Sequence, residues 1–206
     1  MTKPILALSL LAALLSGCTG LRRVDYRYYV LDYVPEASRE RIAAGPWKTT
    51  LLVRNFPLAE PYRRPEMVVR QSVHEVRYLM KDRWASRPER MVGDMVRRHL
   101  REVRLVEGLQ DPYQEDAPAY ELRGEVFALE AYHTADGDFA HLDVRMDFLR
   151  LRDSQVLWRE TFDLRRGIPA NKPVQLAAGL SDLLEASMDL TARAIDSLLA
   201  RELAAP

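Results

Sequence analysis

The chain of 206 residues has a single cysteine, Cys18. That excludes an internal disulfide and any cysteine-rich metal site. Neither charge is in excess: Lys+Arg and Asp+Glu both number 30. No global field draws the chain to nucleic acid, and no nucleic-acid partner is expected. There is no apolar run of membrane-spanning length at the N-terminus. Ile5 to Leu15, 11 residues broken only by Ser9, falls short of the ~20 that a bilayer span needs. Short catalytic motifs are missing too: no G-x-S-x-G, H-E-x-x-H, P-loop or G-x-G-x-x-G occurs. The sequence shows no internal repeat and no low-complexity tract. At this length one domain with a substantial core is expected.

The apolar run has the dimensions of a signal-peptide h-region, with Lys3 as its positive flank. Small residues Ser16 and Gly17 follow, and then Cys18. Leu15-Ser16-Gly17-Cys18 resembles a bacterial lipobox, which implies a signal peptide over residues 1–17 and an acylated Cys18. Each buried methylene is worth ~0.8 kcal/mol, so a multiply acylated cysteine makes a stable anchor. Thr19 is not the aspartate that signals inner-membrane retention, so the sorting rule points to the periplasmic face of the outer membrane. Residues 18–25 form the acylated cysteine and a tether. Arg22 and Arg23 are either solvated or close to lipid head groups.

From residue 26 the sequence reads as one folded unit. Tyr26 to Leu31 and Thr49 to Phe56 are rich in β-formers and predict strands. Met67 to Arg70 and Glu75 to Leu79 predict a hairpin turning at Gln71-Ser72. Ser86, Pro88 and Glu89 have capping-box spacing and predict a helix start, with Met91, Val92, Met95, Val96, Leu100 and Val103 on one face. Gln110 to Pro118 is a polar loop. A three-stranded meander follows. Tyr120, Leu122, Gly124, Val126 and Ala128 alternate in its first strand, and Ala140, Leu142, Val144, Met146 and Phe148 in its second. Val156, Trp158, Phe162 and Leu164 line the third. The "ADGD" at 135–138 marks a turn. From Val174 to about Leu203 a stripe of Leu176, Leu180, Leu183, Leu184, Ala194, Ile195 and Leu198 predicts a long amphipathic helix. The expected fold is α+β in two layers: a mainly antiparallel sheet with two long amphipathic helices on one face.

Three groups of residues could carry chemistry. His133, Asp136, Asp138 and His141 surround one turn and include metal-ligand types, though a solvated hairpin is the simpler reading. Arg90, Arg97, Arg101 and Arg104 stripe the first helix, either as a solvated face or as a contact for phosphates or an acidic partner. Trp84, between a strand and a helix start, is either an interface anchor or core beneath the helix. His99, mid-face among apolar residues, reads as a core-edge histidine. No catalytic residue, metal or cofactor is expected.

The ordered set of features resembles the ABC-type transport auxiliary lipoprotein family, which includes the paraquat-inducible lipoprotein C. These are a lipobox, "YYVLD" at 28–32, a strand ending in Phe56-Pro57, "RPEMVVR" at 64–70, "YLMKDRWASRPERMV" at 78–92 and "VLWRETF" at 156–162. Arg70, Tyr78 and Trp84 occupy the family's arginine, tyrosine and tryptophan positions. Tyr33-Val34 before Pro35 departs from its pattern. The resemblance implies a non-enzymatic domain over 26–206 beside an ABC transporter permease/ATPase complex and an MCE-domain protein. It would dock the transporter's periplasmic component at the membrane during lipid transport. Cys18 is then the lipid attachment, with Trp84, Arg90, Arg97 and Arg101 as candidate partner contacts. Self-association into a homo-oligomer stays open. The rivals are a structural or assembly lipoprotein of the envelope and a lipid or cell-wall hydrolase, which would need a nucleophile and base that no motif supplies.

Overall fold

The structure, a computed structural model, describes residues 24–35, 46–113, 117–170 and 172–204. Cys18 and the lipobox lie outside them, as does most of the loop expected from Pro35 to Pro46. The described residues form eight strands, β1 (Arg27–Tyr29), β2 (Trp47–Val53), β3 (Glu66–Ser72), β4 (Glu75–Trp84), β5 (Val106–Gln110), β6 (Tyr120–Thr134), β7 (Gly137–Arg150) and β8 (Gln155–Ile168). Two helices accompany them, α1 (Pro88–Glu102) and α2 (Pro173–Ala204), with a single 3-10 turn at Glu60–Tyr62.

The meander β6–β7–β8 is the frame. β6 and β7 pair antiparallel from Tyr120↔Arg150 to Thr134↔Gly137, and β7 pairs antiparallel with β8. The free edge of β6 is shared by two strands. Residues 120–122 pair in parallel with β2, and residues 130–132 pair in parallel with β3. A bridge from Leu58 to Val126 fills the gap between them. β5 extends the sheet beyond β2, while β4 and then β1 extend it beyond β3. The sheet is mixed, but most of its paired residues are antiparallel.

Both helices cover one face. Leu142, Val144, Met146 and Phe148 of β7 point into the same core as Leu176, Leu180, Leu184 and Ile195 of α2 and Val92, Val96 and Leu100 of α1. In α2, Met188, Ala192 and Leu199 are buried where Ala194 and Leu198 sit at the margin, so the stripe turns slightly along its 32 residues. The segment after β1 straps the helices together. Leu31 donates its N–H to Met91 Sδ (3.4 Å), and Asp32 donates to Ser181 Oγ (3.0 Å). Gly124 is a close-approach position. A Cβ there would lie 2.3 Å from the Phe56 ring and 2.4 Å from the Arg145 carbonyl.

Local signals and structure differ at four places, each for a stated reason. α1 starts at Pro88 with Arg87 as its N-cap and no side-chain cap bond, because proline is pre-set for the first helical position; Ser86 lies one residue too early. The β3–β4 turn falls at Val73–His74 rather than Gln71–Ser72. β1 is only three residues long because its chain leaves the sheet to strap the helices. In β6 a bulge between Val126 and Ala128 reverses the alternation, so Leu129 and Ala131 face the helices while Ala128, Glu130 and Tyr132 turn to the open face. α1 ends in a Schellman motif: Leu105 N–H donates to Leu100 O (3.3 Å) and Arg104 N–H to Arg101 O (3.1 Å). Arg104 occupies the left-handed position at φ 52°, where glycine is usual.

A candidate partner-docking surface

The open face of the sheet is polar and tightly paired. Glu130, fully buried, is its centre. Tyr62 donates its hydroxyl to Glu130 Oε2 (2.7 Å), and Arg70 Nε donates to Glu130 Oε1 (2.7 Å). His141 places Nδ1 3.1 Å from Glu130 Oε1 and Nε2 2.9 Å from Asp163 Oδ1. Burial alone would raise the Glu130 carboxyl, but hydrogen bonds from His141, Arg70 and Tyr62 outweigh it and hold the pKa below the ordinary range. Burial likewise opposes a charge on His141. The two carboxylates win, and its pKa stands above the ordinary value. Carboxylate oxygens face both ring nitrogens, an arrangement that favours the protonated imidazole. Nearby, Asp147 is gripped by Arg159 through two 2.7 Å bonds, which lower its pKa.

This network takes His141 away from the turn at 135–136. His133 and His141 project to opposite faces of the sheet, since His133 pairs with Asp138 and His141 with Glu130. His133 Nδ1 rests 2.5 Å from Asp138. The four residues around the turn do not converge, and no metal-holding group of three occurs among the described residues. His99 is fully buried between the helices, beside the Tyr33 ring at 5.8 Å. Burial pushes its imidazole down to about 4; Asp189, 3.6 Å away, does not reverse this.

The surface with room for a partner begins where α1 begins. β4 ends at Trp84, whose backbone N–H donates to Pro65 O (2.7 Å), and the chain turns there into α1. Between this corner and the loop after β2 opens a cleft of about 810 Å³, with Pro57, Leu58, Pro65 and Trp84 in its walls and Arg63, Arg64 and Arg87 around it. Arg63 is held by Leu58 O (2.8 Å) and pairs with Glu60 (3.0 Å), Arg64 stacks 3.7 Å over Tyr78 and pairs with Glu66 (3.2 Å), and Glu89 also lines the cleft. The exposed Arg87 makes no side-chain pairing among the described residues. Asn55 joins this cleft to a smaller depression of about 290 Å³ along α1, bordered by Arg90, Asp94, Arg97, Arg101 and Tyr113.

The structure therefore gathers Trp84, Arg90, Arg97 and Arg101 on one side of the molecule, but not in equivalent roles. Trp84 is 3% exposed and belongs to the core, so the indole supports the cleft from below instead of protruding as an anchor. Arg97 is buried and does not belong to a solvated stripe. It donates to Val53 O (3.0 Å), Asn55 Oδ1 (3.2 Å) and Asp94 Oδ1 (2.6 Å), which pins α1 to the end of β2. Arg90 is exposed, 3.7 Å from Asp94. Arg101 is exposed and flanks Tyr113. Sequence reasoning missed Arg63, Arg64 and Arg87, which gain meaning only when the loop after β2 meets the start of α1. Guanidinium groups around proline and indole suit an acidic partner segment with some apolar character.

No helix among the described residues is long and apolar enough to cross a membrane. A comparison with curated proteins gives no match. Among solved structures, protein XCC0632 from Xanthomonas campestris, of family DUF330, is 18% identical. Its TM-score is 0.71, over 85% of this chain and 95% of that one. A second crystal structure, of an uncharacterized protein, is 15% identical with a TM-score of 0.64, over 83% and 99% of the two chains. These likenesses establish the fold. The family model described as ABC-type transport auxiliary lipoprotein component matches residues 29–190, and the chain belongs to that family.

Proposed function

We propose that the protein is the lipid-anchored periplasmic accessory of an MCE/ABC-type lipid transport system. Acylated Cys18 holds the domain at the outer membrane, and the arginine-rimmed cleft beside α1 docks the MCE-domain component of the transporter. The family match over residues 29–190 carries this reading. The geometry adds support in two ways. The cleft combines unpaired arginine with apolar walls, which is recognition chemistry. His141, bonded at both nitrogens by carboxylates, is unsuited to act as a general base.

The test is co-purification of the full chain from detergent-solubilised envelopes. The MCE-domain protein and the permease/ATPase complex should accompany it. Arg87→Glu with Arg90→Glu should abolish that association while leaving the melting temperature unchanged, because both side chains are exposed. Recovery of the same partners with the doubly substituted protein would remove the cleft from the reading. Recovery of none with the unsubstituted protein would remove the transport role.

A further inference from the structure

We infer that β1 is a docking edge: an extended segment of the MCE-domain partner pairs with its outer side as an added strand and lies across Tyr26, Tyr28 and Val30. The inference rests on the role proposed for the neighbouring cleft.

The sheet leaves this edge open. β1 is the last strand on its side and pairs, in parallel, with β4 alone. Ala85 donates its N–H to Tyr29 O (2.8 Å), so Arg27 and Tyr29 turn their backbone groups toward β4. Those of Tyr28 then point away from it, and no described strand pairs with them. Such an unpaired edge is a template for another strand. The sheet's other two edges are guarded. β8 carries Arg159, Glu160, Asp163, Arg165 and Arg166. β5 carries Glu107 and meets β2 with a register shift. From Tyr26 to Leu31 the only charged residue is Arg27, and Asp82 engages it at 2.7 Å.

The side chains make the edge a platform. Arg27, Tyr29 and Leu31 share one face: the first two bond Asp82, and Leu31 enters the core. Tyr26, Tyr28 and Val30 alternate on the other and are exposed, Tyr28 to 62% and Val30 to 55%. Arg83 lies 4.0 Å over the Tyr26 ring and pairs with Glu66 (2.9 Å). Glu66 also pairs with Arg64, which stacks on Tyr78. This row of rings and charges is ordered before any partner arrives, which lowers the cost of docking. It runs into the cleft, since Arg64 lines the cleft wall, and so does Ala85, the residue bonded to Tyr29. Edge and cleft form one surface, and that continuity selects the occupant. β1 of a second copy would set Tyr28 against its own equivalent and leave the cleft empty. One foreign segment covers both. It places β-branched or aromatic residues against Tyr26, Tyr28 and Val30, and an acidic residue at Arg87, which has no side-chain pairing among the described residues.

The experiment compares Tyr28→Pro with Tyr28→Ala, each in the full chain co-purified from detergent-solubilised envelopes. Proline suits an extended edge strand and removes the outward N–H while the bonds to β4 stay. Alanine keeps that N–H and removes the ring. Both variants should keep the melting temperature of the unsubstituted chain. Alanine should weaken recovery of the MCE-domain protein, and proline should abolish it. A photoreactive residue at position 28 should form an adduct with the same protein. Should proline lower the melting temperature, the adduct decides alone. If proline recovers as much partner as alanine, or position 28 gives no adduct, the edge is unused and the inference fails. Loss of the partner with Arg87→Glu plus Arg90→Glu in the same experiment then keeps the cleft reading. If position 28 cross-links to a second copy of this chain instead, that copy is the occupant and the inference fails. If the unsubstituted chain recovers no MCE-domain protein, the transport reading fails and the inference falls with it.

Discussion

The two faces of the sheet hold the side chains of β7 in place by opposite chemistry. On the helix side, β7 buries Leu142, Val144, Met146 and Phe148 against α1 and α2. On the open side, the residues between them, His141, Arg145 and Asp147, are half-buried or buried and ion-paired with Glu130 and Glu125 of β6 and Arg159 of β8. Each face holds one buried histidine. His99 sits among apolar groups and is held neutral, its pKa depressed by burial. His141 sits between Glu130 and Asp163, which raise its pKa against the opposing effect of burial. One face thus gains its order from exclusion of water, and the other from directional pairs that allow only one arrangement of Tyr62, Arg70 and Glu130.

Removal of α2 should break the apolar face outright. Truncation after residue 172 exposes Leu142, Val144, Met146 and Phe148 and deletes Leu176, Leu180, Leu184 and Ile195. Each such side chain is worth ~1.5–3 kcal/mol, and a domain has only ~5–15 kcal/mol in all. Far-ultraviolet circular dichroism should show loss of the cooperative melt. The open face should break less completely. Glu130→Ala strands Arg70 and His141 beside an empty site and should cost ~3–5 kcal/mol in urea denaturation.

The histidines sharpen the contrast through pH. His99 has a folded pKa of about 4, below its unfolded value near 6.5. The unfolded chain therefore binds the extra proton, and stability that is full above pH 6.5 is lost as pH falls toward 4. The loss amounts to about 3 kcal/mol, and His99→Gln should flatten that slope. His141 acts in the other sense. Its folded pKa is raised, so its contribution is full below the unfolded value and is lost as pH rises through the folded one. His141→Gln should remove a decline on the alkaline side. A pair of urea midpoint curves against pH, one for each variant, checks both signs. The smallest effect belongs to neither face. Arg104→Gly relieves a left-handed backbone at the end of α1 and should raise stability by ~1 kcal/mol in the same assay.

The helix face was the legible one. Periodicities of 2 and 3.6 are local, so β7, the meander and both helices follow from short windows of sequence, and so does the side of α2 that is buried. The open face depends on partners far apart in the chain. Glu130 carries no local signal; it is buried because Tyr62 and Arg70 reach it across 68 and 60 residues. Arg97 reads as part of a solvated stripe until Val53 and Asn55 arrive 44 and 42 residues away. The bulge at Val126–Ala128 is equally silent, because it lies where β2 and β3 divide one edge of β6. The candidate docking surface had the same difficulty. Trp84 stood out by residue type but is core, while Arg87 stood out by nothing and is exposed at the cleft.

The cleft beside α1, and not the β7–β8 turn at the sheet's far end, is the proposed meeting place with the transporter. Photocross-linking in intact envelopes tests it most directly, with a photoreactive residue placed at Arg87 or at Arg152. The expected result is an adduct between position 87 and the MCE-domain protein, with none at position 152. An adduct confined to position 152, or no adduct with any component of the transporter from either position, would contradict the account.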